Sequence, residues 1–260
     1  MRNFRNVLIA TLLALVSNSF VLAQSGESTI KLLLVREDKV IPSMASNYEA
    51  ALADLKSILE SVNDLKINYF CHMQDDFYFT HMIPVNSLED IENLKFDRVV
   101  ERLGKPELTL VYDELCNSIE SSKYYLIKYH ADLSYIPQSE NWLEKSQYRK
   151  WTFYYLYPGT QDEVMKILSA WKGLYNTKEV LSGYRVFEGF LGIEQPVIIL
   201  TNWAENPTNH QEKLTGAMEK LGNDGAALWT ATMQYVREVK IIEGWFLPQY
   251  SYTRGLKLAE

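Results

Sequence analysis

Along the chain the apolar positions change period in a regular order. Ile30 to Arg36 is a short, mostly apolar run of the kind that forms a buried strand. After Pro42 the period becomes helical: Tyr48, Ala51, Leu52, Leu55, Ile58, Leu59 and Val62 lie on one face, and Ser46 with Glu49 predicts a capping box. Lys66 to Met73 and Phe77 to Pro84 are rich in aromatic and strand-favouring residues and flank Gln74, Asp75 and Asp76, which predicts an antiparallel hairpin. Ser87 with Asp90 opens a second helical region, interrupted at Gly104 and resumed after Pro106, with Leu108, Val111, Tyr112, Leu115 and Ile119 on its buried side. Tyr124 to Tyr129 then reads as a fourth strand.

Residues 131–149 are mostly polar, contain Pro137 and lack a clear period, which predicts a linker. Beyond it the pattern begins again. Lys150 to Tyr157 is apolar or aromatic on both faces, so this strand should be covered twice. Thr160 with Glu163 predicts a second capping box, followed by Val164, Ile167, Leu168, Trp171, Leu174 and Tyr175 at helical spacing. Gly183 to Leu191 and Pro196 to Trp203 form a second hairpin, Asn206 and Pro207 open a helix that breaks at Gly222, and Val239 to Leu247 is a last strand. An aromatic, then basic, tail runs from Pro248 to Glu260.

Each half therefore reads β-α-β-β-α-β, the ferredoxin-like arrangement. A short string supports the duplication: Glu101 to Gly104 (ERLG) recurs as Glu219 to Gly222 (EKLG), each closing one helical stretch and opening another. The units run over residues 24–130 and 150–260. A four-stranded sheet with both helices on one side leaves its other face bare, and burial of apolar area at roughly 25 cal/mol per Å² drives that face to find a cover. The second copy is the nearest cover. The expected fold class is α+β, two tandem ferredoxin-like units packed sheet to sheet as a single-chain α/β barrel. That element order resembles the dimeric α/β-barrel superfamily in fused form. The resemblance implies a ligand cavity beside the sheet of one unit. It implies chemistry ranging from cofactor-independent oxygenation of aromatic or polyketide-like compounds, or proton transfer, to haem binding.

Composition changes the picture in three places. Residues 1–23 carry Arg2 and Arg5, an apolar run from Val7 to Val16 and then Val21, Leu22 and Ala23, which predicts a cleaved signal peptide, a cut before Gln24 and a secreted or periplasmic protein. No later run approaches the roughly 20 apolar residues of a membrane span. With Arg2 and Arg5 removed, the 26 basic residues become 24 against 33 acidic ones, without a basic block, so neither nucleic acid nor an anionic membrane surface is an expected partner. Cys71 and Cys116 are the two cysteines, at apolar positions that suit free thiols, although an oxidising compartment would also allow them to pair.

The candidate chemistry lies in the first half, where His72, His81 and His130 fall on or beside strands. A hairpin turning on Asp75 and Asp76 would set His72 opposite Phe79 and His81 opposite Phe70, with both imidazoles on one sheet face. A turn one residue longer or shorter would separate them. On the first register, His72 and His81 are the expected catalytic pair and Phe70, Phe79, Tyr129 and His130 the expected ligand-binding residues. The matching positions of the second half, Phe190 and Ile199, are apolar, which places the expected pocket in the first. The plainer reading leaves each histidine satisfied at a strand end or seam. The spacing of His130, Asp75 and Asp76 about the pair matches no standard metal site, so no metal and no cofactor is expected. His210, early in a second-half helix, is the one residue that would serve a haem-binding relative. No nucleophile-elbow, zinc-protease, phosphate-loop, dinucleotide or Cys-x-x-Cys motif occurs. The expected partner is a small-molecule ligand, or, in a non-catalytic reading, another protein at the first unit's surface or at the aromatic tail; self-association into a homo-oligomer is left open.

Overall fold

The computed structural model describes residues 32–62, 68–74, 76–92, 94, 100–101, 105–137 and 146–253. The expected signal peptide, Asp75, Gly104, residues 138–145 of the expected linker and the end of the tail lie outside the described residues. The first unit comprises β1 (Leu32–Val40), α1 (Ala45–Glu60), β2 (Phe70–Gln74), β3 (Tyr78–Val85), α2 (Leu88–Glu92), α3 (Glu107–Asn117) and β4 (Ile119–Tyr135). The second comprises β5 (Tyr148–Leu156), α4 (Gln161–Thr177), β6 (Tyr184–Leu191), β7 (Val197–Ala204), α5 (Pro207–Met233) and β8 (Val236–Phe246).

All eight strands close into one antiparallel barrel in the order β1-β3-β2-β8-β5-β7-β6-β4. Each unit contributes its strands in the same relative order, and the units join at two seams, β2 with β8 and β4 with β6. The α+β architecture of two ferredoxin-like units packed as an α/β barrel is thus the one expected from the pattern. Strand alternation sorts the side chains into two environments. Leu33, Val35, Met82 and Ile127 of the first unit meet Phe153, Phe187 and Ile199 of the second in the barrel lumen. On the outside, α1 and α3 cover the first sheet through Tyr48, Leu52 and Leu115, while α4 and α5 cover the second through Leu168, Ala217 and Leu221. No helix among the described residues is long and apolar enough to cross a membrane.

Several local expectations change. The first hairpin pairs Phe70 with Met82, Cys71 with His81 and His72 with Thr80, one residue away from the expected register. The cause is Phe77: it sits in the turn with Asp76, both at positive φ (61° and 60°), instead of starting the strand. Strand β4 runs on to Tyr135, through the start of the expected linker, because Tyr135 pairs with Tyr184 of β6 across the seam. Neither Ser46 nor Thr160 makes a side-chain cap: α1 is preceded by Met44, and the Thr160 hydroxyl donates to Tyr157 O. Asn206 does cap α5, accepting from Asn209 N at 2.9 Å. The expected break at Gly222 is present as a kink (φ 53°, ψ −139°). Both cysteines are free; Cys71 is buried, and Cys116 is exposed on α3.

Candidate functional site

The shifted register sends the two expected catalytic histidines to opposite faces of the sheet, so they form no pair. His72 points into the lumen, where its ring lies 5.2 Å from Phe246 and edge-on to Trp151 at 6.1 Å. Phe70 and Tyr129 share the lumen with it, against Phe246 and Phe187 respectively. His72 is only 6% exposed and its Nδ1 has no partner. Burial first, then the Arg149 guanidinium, holds its pKa well below the usual value and keeps the ring neutral. With Arg149 it lines a cavity of about 20 Å³, room for about one water. His81 and Phe79 instead face the helices, and His130 lies on the outer face of β4, 3.1 Å from Glu188 Oε2.

Around His81 the outer face of the first sheet carries a buried polar network. Asp38, 1% exposed, accepts from Arg36 Nε at 2.7 Å, Ser122 Oγ at 2.5 Å and Tyr48 Oη at 2.7 Å. The register explains the convergence, because β1 sets Arg36 opposite His81 and Asp38 opposite Ser122. Tyr48 has one hydroxyl hydrogen, given to Asp38, so the His81 Nε2 lying 2.7 Å from Tyr48 Oη must carry a hydrogen and donate it. Burial pushes the His81 pKa down to about 4, with Asp38 opposing and Arg36 adding to the effect. Both oxygens of the Asp38 carboxylate are thereby engaged, and the network pins α1 to three strands.

Among the described residues a large open space lies in the other unit. A cavity of about 660 Å³ lies between the outer face of the second sheet and helices α4 and α5. Tyr154, Tyr184 and Leu200 form its floor, Trp171 and Tyr175 its α4 wall, and Ala217, Gly222, Gly225 and Ala226 much of its α5 wall. The hollow has a sequence cause: where α3, the corresponding helix of the first unit, buries Leu108 and Leu115, α5 turns Ala217, Gly222, Gly225 and Ala226 toward part of the space. None of the twenty lining residues is charged. Met218 and Trp229, 65% and 49% exposed, stand at the rim. Trp171 Nε1 donates to Thr232 Oγ1 at 3.1 Å and ties the two helices. The pocket was expected in the first unit; this large cavity, lined by described residues, lies in the second. The small residues of α5 were the sequence signal; Gly222 was read only as a helix break.

Comparison of the sequence with protein-family models and with curated proteins finds no match. Solved structures do match. An anthrone oxidase-like protein superposes with a TM-score of 0.58 at 15% identity, over 88% of this chain and 96% of its own. A candidate monooxygenase from Lactobacillus acidophilus gives 0.55 at 6% identity, over 86% and 98%. A chlorite dismutase variant from Candidatus Nitrospira defluvii gives 0.50 at 7% identity, over 86% and 94%. At such identities the likeness is one of fold. The fold they share with this chain is the closed α/β barrel of two ferredoxin-like units, here both in a single chain.

Haem, which that resemblance brings with it, does not fit the cavity. His210 packs edge-on against Tyr148 at 5.7 Å and is not among the lining residues. The lining offers no imidazole or thiolate, and burial pushes Tyr154, Tyr175 and Tyr184 up, which disfavours a phenolate ligand. Among the described residues no group of three His, Cys, Asp or Glu side chains stands ready for a metal ion.

Proposed function

We propose that this is an exported protein that binds a neutral, largely apolar small molecule in the second unit. One observation carries the reading: a cavity of about 660 Å³ with aromatic walls and no charged lining residue. That volume falls in the range of about 300–1,000 Å³ usual for ligand sites. An ion buried there would lose its hydration without gaining a counter-charge. Export rests on the signal-like pattern of Met1 to Ala23, and N-terminal sequencing of the exported protein is expected to begin at Gln24. The anthrone oxidase-like and monooxygenase neighbours make oxygenation of such a ligand the catalytic extension of this reading. The cavity's own groups support binding, since no carboxylate or imidazole lines it to take a proton from a substrate.

The test is a titration with the neutral dye Nile red, comparing the wild type with Ala217→Phe, which fills the buried α5 wall. Saturable one-to-one binding is expected, weakened by about tenfold or more in the filled variant. No saturable binding, or equal binding by both proteins, removes the reading. Oxygen uptake in the presence of anthrone would add catalysis to it.

A further inference from the structure

Strand β8 has one edge that the barrel does not cover. β5 pairs along its whole length, from Tyr148 with Trp245 to Leu156 with Val236, whereas β2 reaches only Gly244, Trp245 and Phe246. β2 goes no further because the chain reverses at Asp76 and Phe77. From Val236 to Glu243 the edge away from β5 therefore meets no strand among the described residues. A row of free backbone N–H and C=O groups is a template for another strand. The side chains beside it are open as well: every residue from Arg237 to Ile241 is exposed. Val239 and Ile241, 40% and 52% exposed, stand on the outer face, opposite the side on which Ile242 packs into the lumen. No proline interrupts the stretch. Charge of one sign would repel a second copy of the edge, but Glu238 and Lys240 flank Val239 with opposite signs.

We propose that this edge is a self-association surface, on which a second copy of the chain forms an antiparallel β8–β8 pair about a two-fold axis at Val239. Two copies that extend one sheet in antiparallel fashion are related by a two-fold axis perpendicular to it, so facing residues lie on the same side of the sheet. With Val239 opposite itself, Glu238 of each copy faces Lys240 of the other, which gives two cross-strand pairs of opposite charge. An axis moved one residue either way would set Glu238 against Glu238 or Lys240 against Lys240, so charge selects the register. On the outer face the pair covers Val239, which now stands in water. Each copy lends the same edge, so the assembly closes at two chains.

The experiment measures the mass of the mature chain by sedimentation equilibrium as its concentration rises from about 1 to about 100 μM, a range that suits a small interface. The wild type is expected to pass from one chain to two. Glu238→Lys and Lys240→Glu each place like charges face to face, so each alone is expected to dissociate at about tenfold higher concentration. Mixed in equal amounts, the two variants restore both opposite-charge pairs and are expected to form a one-to-one dimer as tight as the wild type's. The double variant Glu238→Lys/Lys240→Glu is expected to dimerise alone. Both positions are exposed, so all variants should melt with the wild type. A wild type that stays monomeric at 100 μM, which would leave the edge to a different protein, overturns the proposal. So do single variants that associate like the wild type, or a mixture of the two that stays monomeric. None of these outcomes touches the cavity reading, which the dye titration tests separately.

Discussion

Asp38 shows how much one buried carboxylate organises. Its three donors come from β1, α1 and β4, and through Tyr48 it fixes the tautomer of His81 on β3. His81 is held neutral, its pKa lowered by burial from 6.5 to about 4. Below the unfolded value the unfolded chain takes up a proton that the folded chain refuses, so the native state loses stability as pH falls from about 6.5 to about 4 and the loss then levels off. Urea unfolding at steps across that window should show a loss of up to about 3 kcal/mol that is absent in His81→Gln, measured as the difference between the two proteins. An identical pH slope in both would rule the mechanism out. The sequence drew attention to His81 by its type, but its partners come from β1 and α1, and no spacing within β3 announces them.

At the scale of elements, the seam between β2 and β8 is the narrow point of the barrel. It consists of three residue pairs, His72 with Phe246, Met73 with Trp245 and Gln74 with Gly244. A Cβ on Gly244 would collide with the Met73 carbonyl oxygen, so the seam requires glycine there. Gly244→Ala is expected to cost about 2 kcal/mol or more, read as a lower denaturant midpoint, and to perturb the near-ultraviolet signal of Trp245 and Trp151 beside the seam. A variant as stable as the wild type would mean that β2 and β8 can part freely. The helices were legible in period and in their breaks: Asn206 caps α5 and Gly222 kinks it as the pattern predicts. The hairpin register was not, because Phe77 looks like a strand residue and only the packed turn gives it a positive φ and leaves it 45% exposed.

The whole molecule is held by a lumen that neither unit completes alone. Val35, Met82 and Ile127 bury against Phe153, Phe187 and Ile199 across the barrel, and each unit's edge strands find their partners only in the other unit. Residues 24–137 produced alone should therefore self-associate or precipitate, and should form a one-to-one complex when co-expressed with residues 138–260, as read by size-exclusion chromatography. A stable monomer of either half would contradict the shared core. The two outer layers differ in what they enclose. The first closes over a satisfied polar network, and the second leaves a cavity walled by aromatic rings.

What the sequence alone determined is what local pattern can encode: the period of each element, the β-α-β-β-α-β order of each half, and the need for both sheet faces to be covered. These follow from side-chain direction along a strand or helix, which neighbours in sequence dictate. Only the tertiary structure decided which face each histidine takes and that the second unit encloses a cavity. A single residue added to a turn inverts every side chain of the following strand. A void depends on how far a helix stands from its sheet, a distance set by the sum of packed side chains on both, with Ala217, Gly222, Gly225 and Ala226 leaving it open in the second unit.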